Sequence, residues 1–298
     1  MGKWPGRYRS GPLLLSGPTI CGIGRMGNNH WTLNDLPWDQ LDRSKADAEI
    51  LKIIKAAALV EYNGRDYATY LCNVFSDDPE FQQVAREWAV EEVQHGAALG
   101  RWAELVDPEF SLEAAFKRFT AGYKIKLEAT ESIRGSRSGE LIARCMVETG
   151  TSSYYTALGD ATEEPVLKAI CRRIAADELR HYKTFYQHLN RYMKREELGK
   201  LSRLRIALGR INESEDDELA FAYYAANSPP TPYHRETYTR AYMRRAYAYY
   251  RPTHVDRGVA MIFKAVGLKP HTQLYRAATR MAWWYLDSRL KKLTKEAA

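Results

Sequence analysis

The chain has 298 residues, 45% hydrophobic and 27% charged, which suits one large or two small globular domains with a sizeable core. No apolar run approaches the ~18–20 residues that cross a membrane, and the four cysteines lack C-x-x-C spacing, so they read as small buried residues in a reducing, cytoplasmic setting. The net charge of +7 is uneven: residues 229–298 hold 14 Lys/Arg against 4 Asp/Glu, so residues 1–228 carry about −3.

Lys3, Arg7 and Arg9 precede "GPLLLSGPTICGIG", an imitation of a signal peptide that Gly and Pro break and that has no convincing cleavage site. Residues 1–25 therefore read as an unstructured extension. Gly22, Gly24 and Gly27 match G-x-G-x-x-G, but no strand precedes them and no helix start follows, so a dinucleotide site is rejected. Residues 30–42 read as a loop whose two tryptophans pack on the first helix. Ser44 is the expected N-cap of a helix over about 45–75, with Ile50, Ile53, Ile54, Ala57 and Ala58 on its apolar face before Glu61. Asp78 and Pro79 open a second helix to about Leu105, and a third covers about 112–130. Another runs over about 139–158 with Glu148, and Asp160, Glu163 and Pro165 announce a long helix to about 194.

Beyond 200 the pattern stays helical, with a linker at 227–233. Tyr238, Tyr242 and Tyr249 recur at near-helical spacing beside Arg240, Arg244, Arg245 and Arg251, more a packing stripe than a binding surface. The expected division is an extension and loop over 1–43, a helical bundle over 44–200 and a helical extension with a basic face over 201–298.

Two short stretches carry the chemistry. "WAVEEVQHG" holds Glu92 and His95, and "AADELRHY" holds Glu178 and His181. Residues three apart share a helix face, so each pair can bind one metal ion. Glu61 lies 31 residues before Glu92, and Glu148 lies 30 before Glu178. The halves repeat at an offset of 86–87 residues, which describes a duplicated helix pair. Two lone glutamates and two Glu-x-x-His pairs on four helices form the ligand set of a carboxylate di-metal bundle. Four carboxylates balance two divalent ions, at least two can bridge, and one imidazole per ion leaves positions open for dioxygen. Mixed oxygen and nitrogen ligands suit iron, with manganese as an alternative in one site, whereas structural zinc favours thiolates. Neither motif is H-E-x-x-H, which excludes a zinc protease of that type. Glu91 and Asp177, just before the ligands, are placed to accept a hydrogen bond from the outer nitrogen of the other half's histidine.

These residues resemble the ferritin-like di-iron family, and most of all the soluble acyl-(acyl-carrier-protein) desaturases. The resemblance rests on "WAVEEVQHG", "KAICRRIAADELRHY" and "VETGTSSYY", and spans about 45–195. It implies an all-α, ferritin-like four-helix bundle with additional C-terminal helices. Two irons would be held by Glu61, Glu92 and His95 in one half and by Glu148, Glu178 and His181 in the other. Thr151, three residues after Glu148, matches a threonine that assists oxygen activation in that family; its alternative role is a bond back to a helix carbonyl. The resemblance further implies dioxygen as co-substrate, an external ferredoxin or reductase, an apolar acyl or lipid-like substrate, and a homodimer. Residues 229–298 would be either a solvated helix face or a dock for an acidic partner such as acyl carrier protein, anionic lipid or nucleic acid. Aryl-amine N-oxygenases, ribonucleotide reductase small subunits and ferritins share the ligand pattern, so oxidation of a small metabolite and iron oxidation or storage stand as alternatives. Gly64, Gly96 and Gly150 lie near these ligands inside helices, either to make room for dioxygen or substrate or to let helices pack closely.

Overall fold

The computed structural model describes residues 30–213, 217–227 and 232–296. The N-terminal extension, the glycine pattern at 22–27, Cys21 and most of the 227–233 linker lie outside the described residues. Three short 3-10 turns (Leu33–Asp35, Trp38–Gln40 and Arg43–Lys45) lead into the helices. These are α1 (Ala48–Tyr62), α2 (Gly64–Val74), α3 (Pro79–Val106), α4 (Leu112–Gly122), α5 (Arg137–Ala161) and α6 (Pro165–Glu196), followed by α7 (Lys200–Glu213), α8 (Asp217–Asn227), α9 (Arg235–Tyr247), α10 (Pro252–Ala265) and α11 (Gln273–Glu296). The fold is all-α and ferritin-like: α1 pairs with α3, α5 pairs with α6, and α3 meets α6.

Local chemistry sets most boundaries. Asp78 accepts from the Phe81 amide with Pro79 at the first helical position, which starts α3 as expected. Four expectations shift. The N-cap of α1 is Asp47, not Ser44, because Asp47 accepts from the Glu49 and Ile50 amides while Asp42 holds Ser44 in a 3-10 turn. The cap of α6 is Glu164, which accepts from Leu167, whereas Asp160 lies inside α5 and pairs with His254. The expected 45–75 helix is two, broken at Asn63, and α4 stops at Gly122 rather than near 130.

Two apolar clusters fill the bundle at different heights. One takes Ile53, Leu59, Trp102, Tyr155, Leu158, Ile170 and Ile174, and the other takes Leu71, Phe81, Trp88, Leu141, Met146, Phe185 and Tyr192. On α3, α5 and α6 the residues between these clusters are 91–95, 148–151 and 177–181. The apolar stripe therefore stops and restarts around one polar layer, and α1 breaks at Asn63 just past that layer. The C-terminal helices join the same cores: α8 and α9 bring Tyr223 and Tyr242 to the first, and α7 brings Ala207 to the second. Tyr238 and Tyr249 pack against the first cluster too, so the tyrosine stripe is packing. Glu49 engages Arg244 and Arg245, so part of the basic excess is used internally. Among the described residues no helix is long and apolar enough to cross a membrane.

Candidate metal centre

The polar layer brings Glu61, Glu92, His95, Glu148, Glu178 and His181 together, all buried. They form two groups whose ligand-capable atoms lie within 4.8 Å of one another: Glu61, Glu92, His95 and Glu178, and Glu92, Glu148, Glu178 and His181. Glu92 and Glu178 belong to both. His95 Nδ1 is 3.2 Å from Glu178 Oε1 and 3.7 Å from Glu61 Oε2. His181 Nδ1 is 3.1 Å from Glu92 Oε1 and 3.6 Å from Glu148 Oε2. Neighbouring donor atoms on one octahedral ion, each ~2.1 Å from it, are about 3 Å apart, so this spacing is that of ligands around a cation.

The same atoms lack hydrogen bonds. Glu61 Oε2, Glu92 Oε1, His95 Nδ1, both Glu148 oxygens, Glu178 Oε1 and His181 Nδ1 are buried and unpartnered. An unsatisfied buried polar atom costs about 1–3 kcal/mol, more for a charged group, so seven facing one another require a common partner. The donor set, carboxylate oxygens with one imidazole per group, fits a pair of hard or borderline divalent ions.

The outward nitrogens are fixed crosswise. His181 Nε2 lies 2.7 Å from Glu91 Oε2, and His95 Nε2 lies 3.1 Å from Asp177 Oδ2. Each histidine is thus held by the acid of the opposite motif, with Nδ1 turned inward. Several neighbours of these acids had no signal in the sequence. Arg180 donates to Glu91 at 2.7 and 3.1 Å and to Asp177 at 2.7 Å. The Trp31 indole donates to Asp177 at 2.6 Å and stacks on His95, and His30 Nε2 lies 3.0 Å from the same carboxylate. Trp38 sits beneath Arg101 of α3, and both loop tryptophans pack against the core cluster that α1 shares with α3, α5 and α6. The Tyr155 hydroxyl donates to Glu61 Oε1 at 2.6 Å, fixing one oxygen and leaving the other inward. Thr151 Oγ1 lies 2.6 Å from Glu178 Oε2 and within reach of the Val147 and Glu148 carbonyls, so the bond back to its own helix is present beside a contact with Glu178 that the spacing did not announce.

The glycines separate. A Cβ on Gly64 would lie 2.5 Å from Glu92 Cβ, and one on Gly96 would lie 2.5 Å from the Tyr62 nitrogen and 2.8 Å from the Ala58 oxygen. Both serve close packing, at the ligand itself and at the α1–α3 crossing. Gly150 meets nothing within 4 Å.

The ligand acids do not shift alike: Glu92 and Glu148 go up, whereas Glu178, although buried, is held down at about 2 by His95 and His181. Burial, reinforced by the charges of Glu178 and Glu61, pushes Glu92 up; burial and then Glu178 push Glu148 to about 8. Burial opposes ionisation of Glu91, but hydrogen bonds from His181 and Arg180 outweigh it and hold the carboxyl at about 2. Asp177 is likewise held far down against burial by His30 and His95. Burial would lower both ligand-face histidines, but the surrounding carboxylates, Asp177 and Glu178 at His95 and Glu148 and Glu91 at His181, raise them well above their ordinary value of 6.5.

A pH dependence follows for the metal-free protein. Glu148 keeps its proton to about pH 8 in the fold but releases it near 4.5 when unfolded, so across that window folding binds an extra proton and stability falls as pH rises. The histidines act in the same direction: their contribution is full below 6.5 and is lost as pH climbs through their raised values. Each such group contributes about 1.4 kcal/mol per pH unit in its window. Urea unfolding of metal-free protein is expected to show a lower midpoint at pH 8 than at pH 6, and ferrous iron is expected to remove the difference. Equal midpoints without metal would contradict the unbalanced carboxylates.

Residues 67–207 match the model of a family described as fatty acid desaturase. The matched segment contains Glu91, Glu92, His95, Glu148, Thr151, Asp177, Glu178 and His181, and begins six residues after Glu61. No curated protein matches the chain.

Proposed function

From the premise that residues 67–207 are of the fatty acid desaturase family, we propose that this chain is an oxygen-dependent di-iron oxidoreductase that desaturates or hydroxylates an acyl or lipid-like substrate. The family match supports a desaturase-type oxidoreductase on a fatty acyl chain. The di-iron reading is carried by one observation: seven unpartnered, buried ligand atoms converge from six residues in two groups that share Glu92 and Glu178.

In this reading the two irons would be held by Glu61, Glu92, His95, Glu148, Glu178 and His181, of which Glu92 and Glu178 belong to both groups. When bound, the metal pair would supply dioxygen activation and removal of hydrogen from an unactivated C–H bond, chemistry that no side chain here performs alone. The chain's own work is positioning. Asp177 and Glu91 accept hydrogen bonds from the Nε2–H groups of His95 and His181, which turns each Nδ1 toward the ligand carboxylates, where a bound cation would replace its proton. Tyr155 orients Glu61, and Thr151 holds a proton at Oγ1 beside Glu178 Oε2. The two apolar clusters on either side keep water from the layer. Electrons come from an external ferredoxin or reductase, with dioxygen as the other co-substrate.

The test is aerobic turnover of the iron-loaded, chemically reduced protein with a panel of acyl-carrier thioesters, read by mass spectrometry of the acyl chain. A loss of two mass units or a gain of one oxygen is the expected product. Thr151→Val is expected to retain iron while lowering yield by about tenfold or more, as for a positioned proton donor. Water or peroxide alone with every substrate would remove the acyl assignment.

A further inference from the structure

We propose that α11 docks the protein on an anionic lipid surface, through an apolar face rimmed by basic residues. Of the 24 residues in Gln273–Glu296, Tyr275 and Leu293 are buried, and the helix packs against α9 and α10 along that side. Its opposite face is open. Leu274, Met281, Trp284 and Tyr285 are 61, 65, 66 and 54% exposed. They stand seven, ten and eleven residues after the first, a spacing that places all four on one side of the helix. Large apolar side chains scattered singly over a surface need no explanation, but four on one helix face form a patch.

The charges around the patch select its partner. The helix carries Arg276, Arg280, Arg289, Lys291, Lys292 and Lys295 against Asp287 and Glu296, a net +4. Lys291 pairs with Asp287 and Lys292 with Glu296, whereas Arg276, Arg280 and Lys295 have no ion pair among the described residues. Arg276 and Arg280 accompany the apolar turns, and the lysines follow at the C-terminal end. A second copy of the same face would set +4 against +4. An anionic bilayer satisfies both features, because Trp and Tyr settle at the headgroup level while arginine and lysine meet the lipid phosphates. A partner protein bound through acidic groups alone would leave Trp284, Met281 and Leu274 unexplained.

The proposal does not rest on the metal reading and is tested without turnover. The full-length protein is floated with vesicles of phosphatidylcholine alone or mixed with phosphatidylglycerol, at low and high salt, beside the W284A/Y285A double variant. Both substituted residues are exposed, so circular dichroism is expected to be unchanged. Binding is expected to the phosphatidylglycerol vesicles, at least about tenfold weaker to phosphatidylcholine alone, weakened by salt, and reduced by about tenfold or more in the double variant. Failure to bind anionic vesicles overturns the proposal, as does binding that the double variant retains in full. A dimer in gel filtration that W284A/Y285A dissociates would assign the face to a second copy instead. Capture of acyl carrier protein that the same variant loses, with no vesicle binding, would assign it to an acidic protein; either result overturns the lipid reading.

Discussion

Reconstituted anaerobically with ferrous iron and desalted, the protein is expected to retain about two ions per chain, the content of a four-helix carboxylate site. The variants separate by group. Glu178→Ala and Glu92→Ala each remove a carboxylate common to both groups and are expected to abolish retention. Glu61→Ala and Glu148→Ala each remove a carboxylate from one group, and are expected to lose one ion preferentially. His181→Ala also deprives Glu91 of one partner and leaves that acid with Arg180 and His30. Metal analysis with absorption or Mössbauer spectra reads the outcome. Zinc alone, or no metal in iron-supplied protein, would show that the converging atoms serve another purpose.

The second large effect concerns a residue that holds no metal. Gly96→Ala is expected to destabilise the fold by about 3 kcal/mol, because its Cβ would enter the backbone of α1. Those atoms belong to Tyr62 and Ala58, which flank Glu61, so relief of the clash must displace the helix that carries one candidate ligand. A lower thermal midpoint together with weaker metal retention is the expected pairing. Gly150→Ala is the control: the site is exposed and open within a helix, so alanine is expected to stabilise by about 0.5–1 kcal/mol through helix propensity. Equal behaviour of the two variants would mean that the α1–α3 crossing is not as tight as its geometry indicates. The contrast also answers why glycines stand near the ligands. Gly64 and Gly96 let helices and Glu92 approach, and Gly150 faces open space.

The sequence by itself determined what depends on local periodicity. Glu-x-x-His puts two donors on one helix face whatever the rest of the chain does, and the 86-residue offset puts that face in the bundle twice. Capping by Asp78 and the Pro79 and Pro165 starts are equally local, since each side chain or ring acts within one turn. The all-α, ferritin-like class followed from those elements together. What the tertiary structure decided lies across long chain separations. Gly64, at the start of α2, has no room for a side chain because Glu92, far along the chain, occupies the space a Cβ would need. The loop at His30 and Trp31 crosses to Asp177, Tyr155 reaches Glu61, and Arg180 joins Glu91 to Asp177. No repeat or spacing encodes these pairs, because a hydrogen bond between distant segments leaves no period in either one. The inward or outward direction of each carboxylate oxygen was settled at this level too. It depends on which neighbour takes the other oxygen, and those neighbours arrive only when the helices pack.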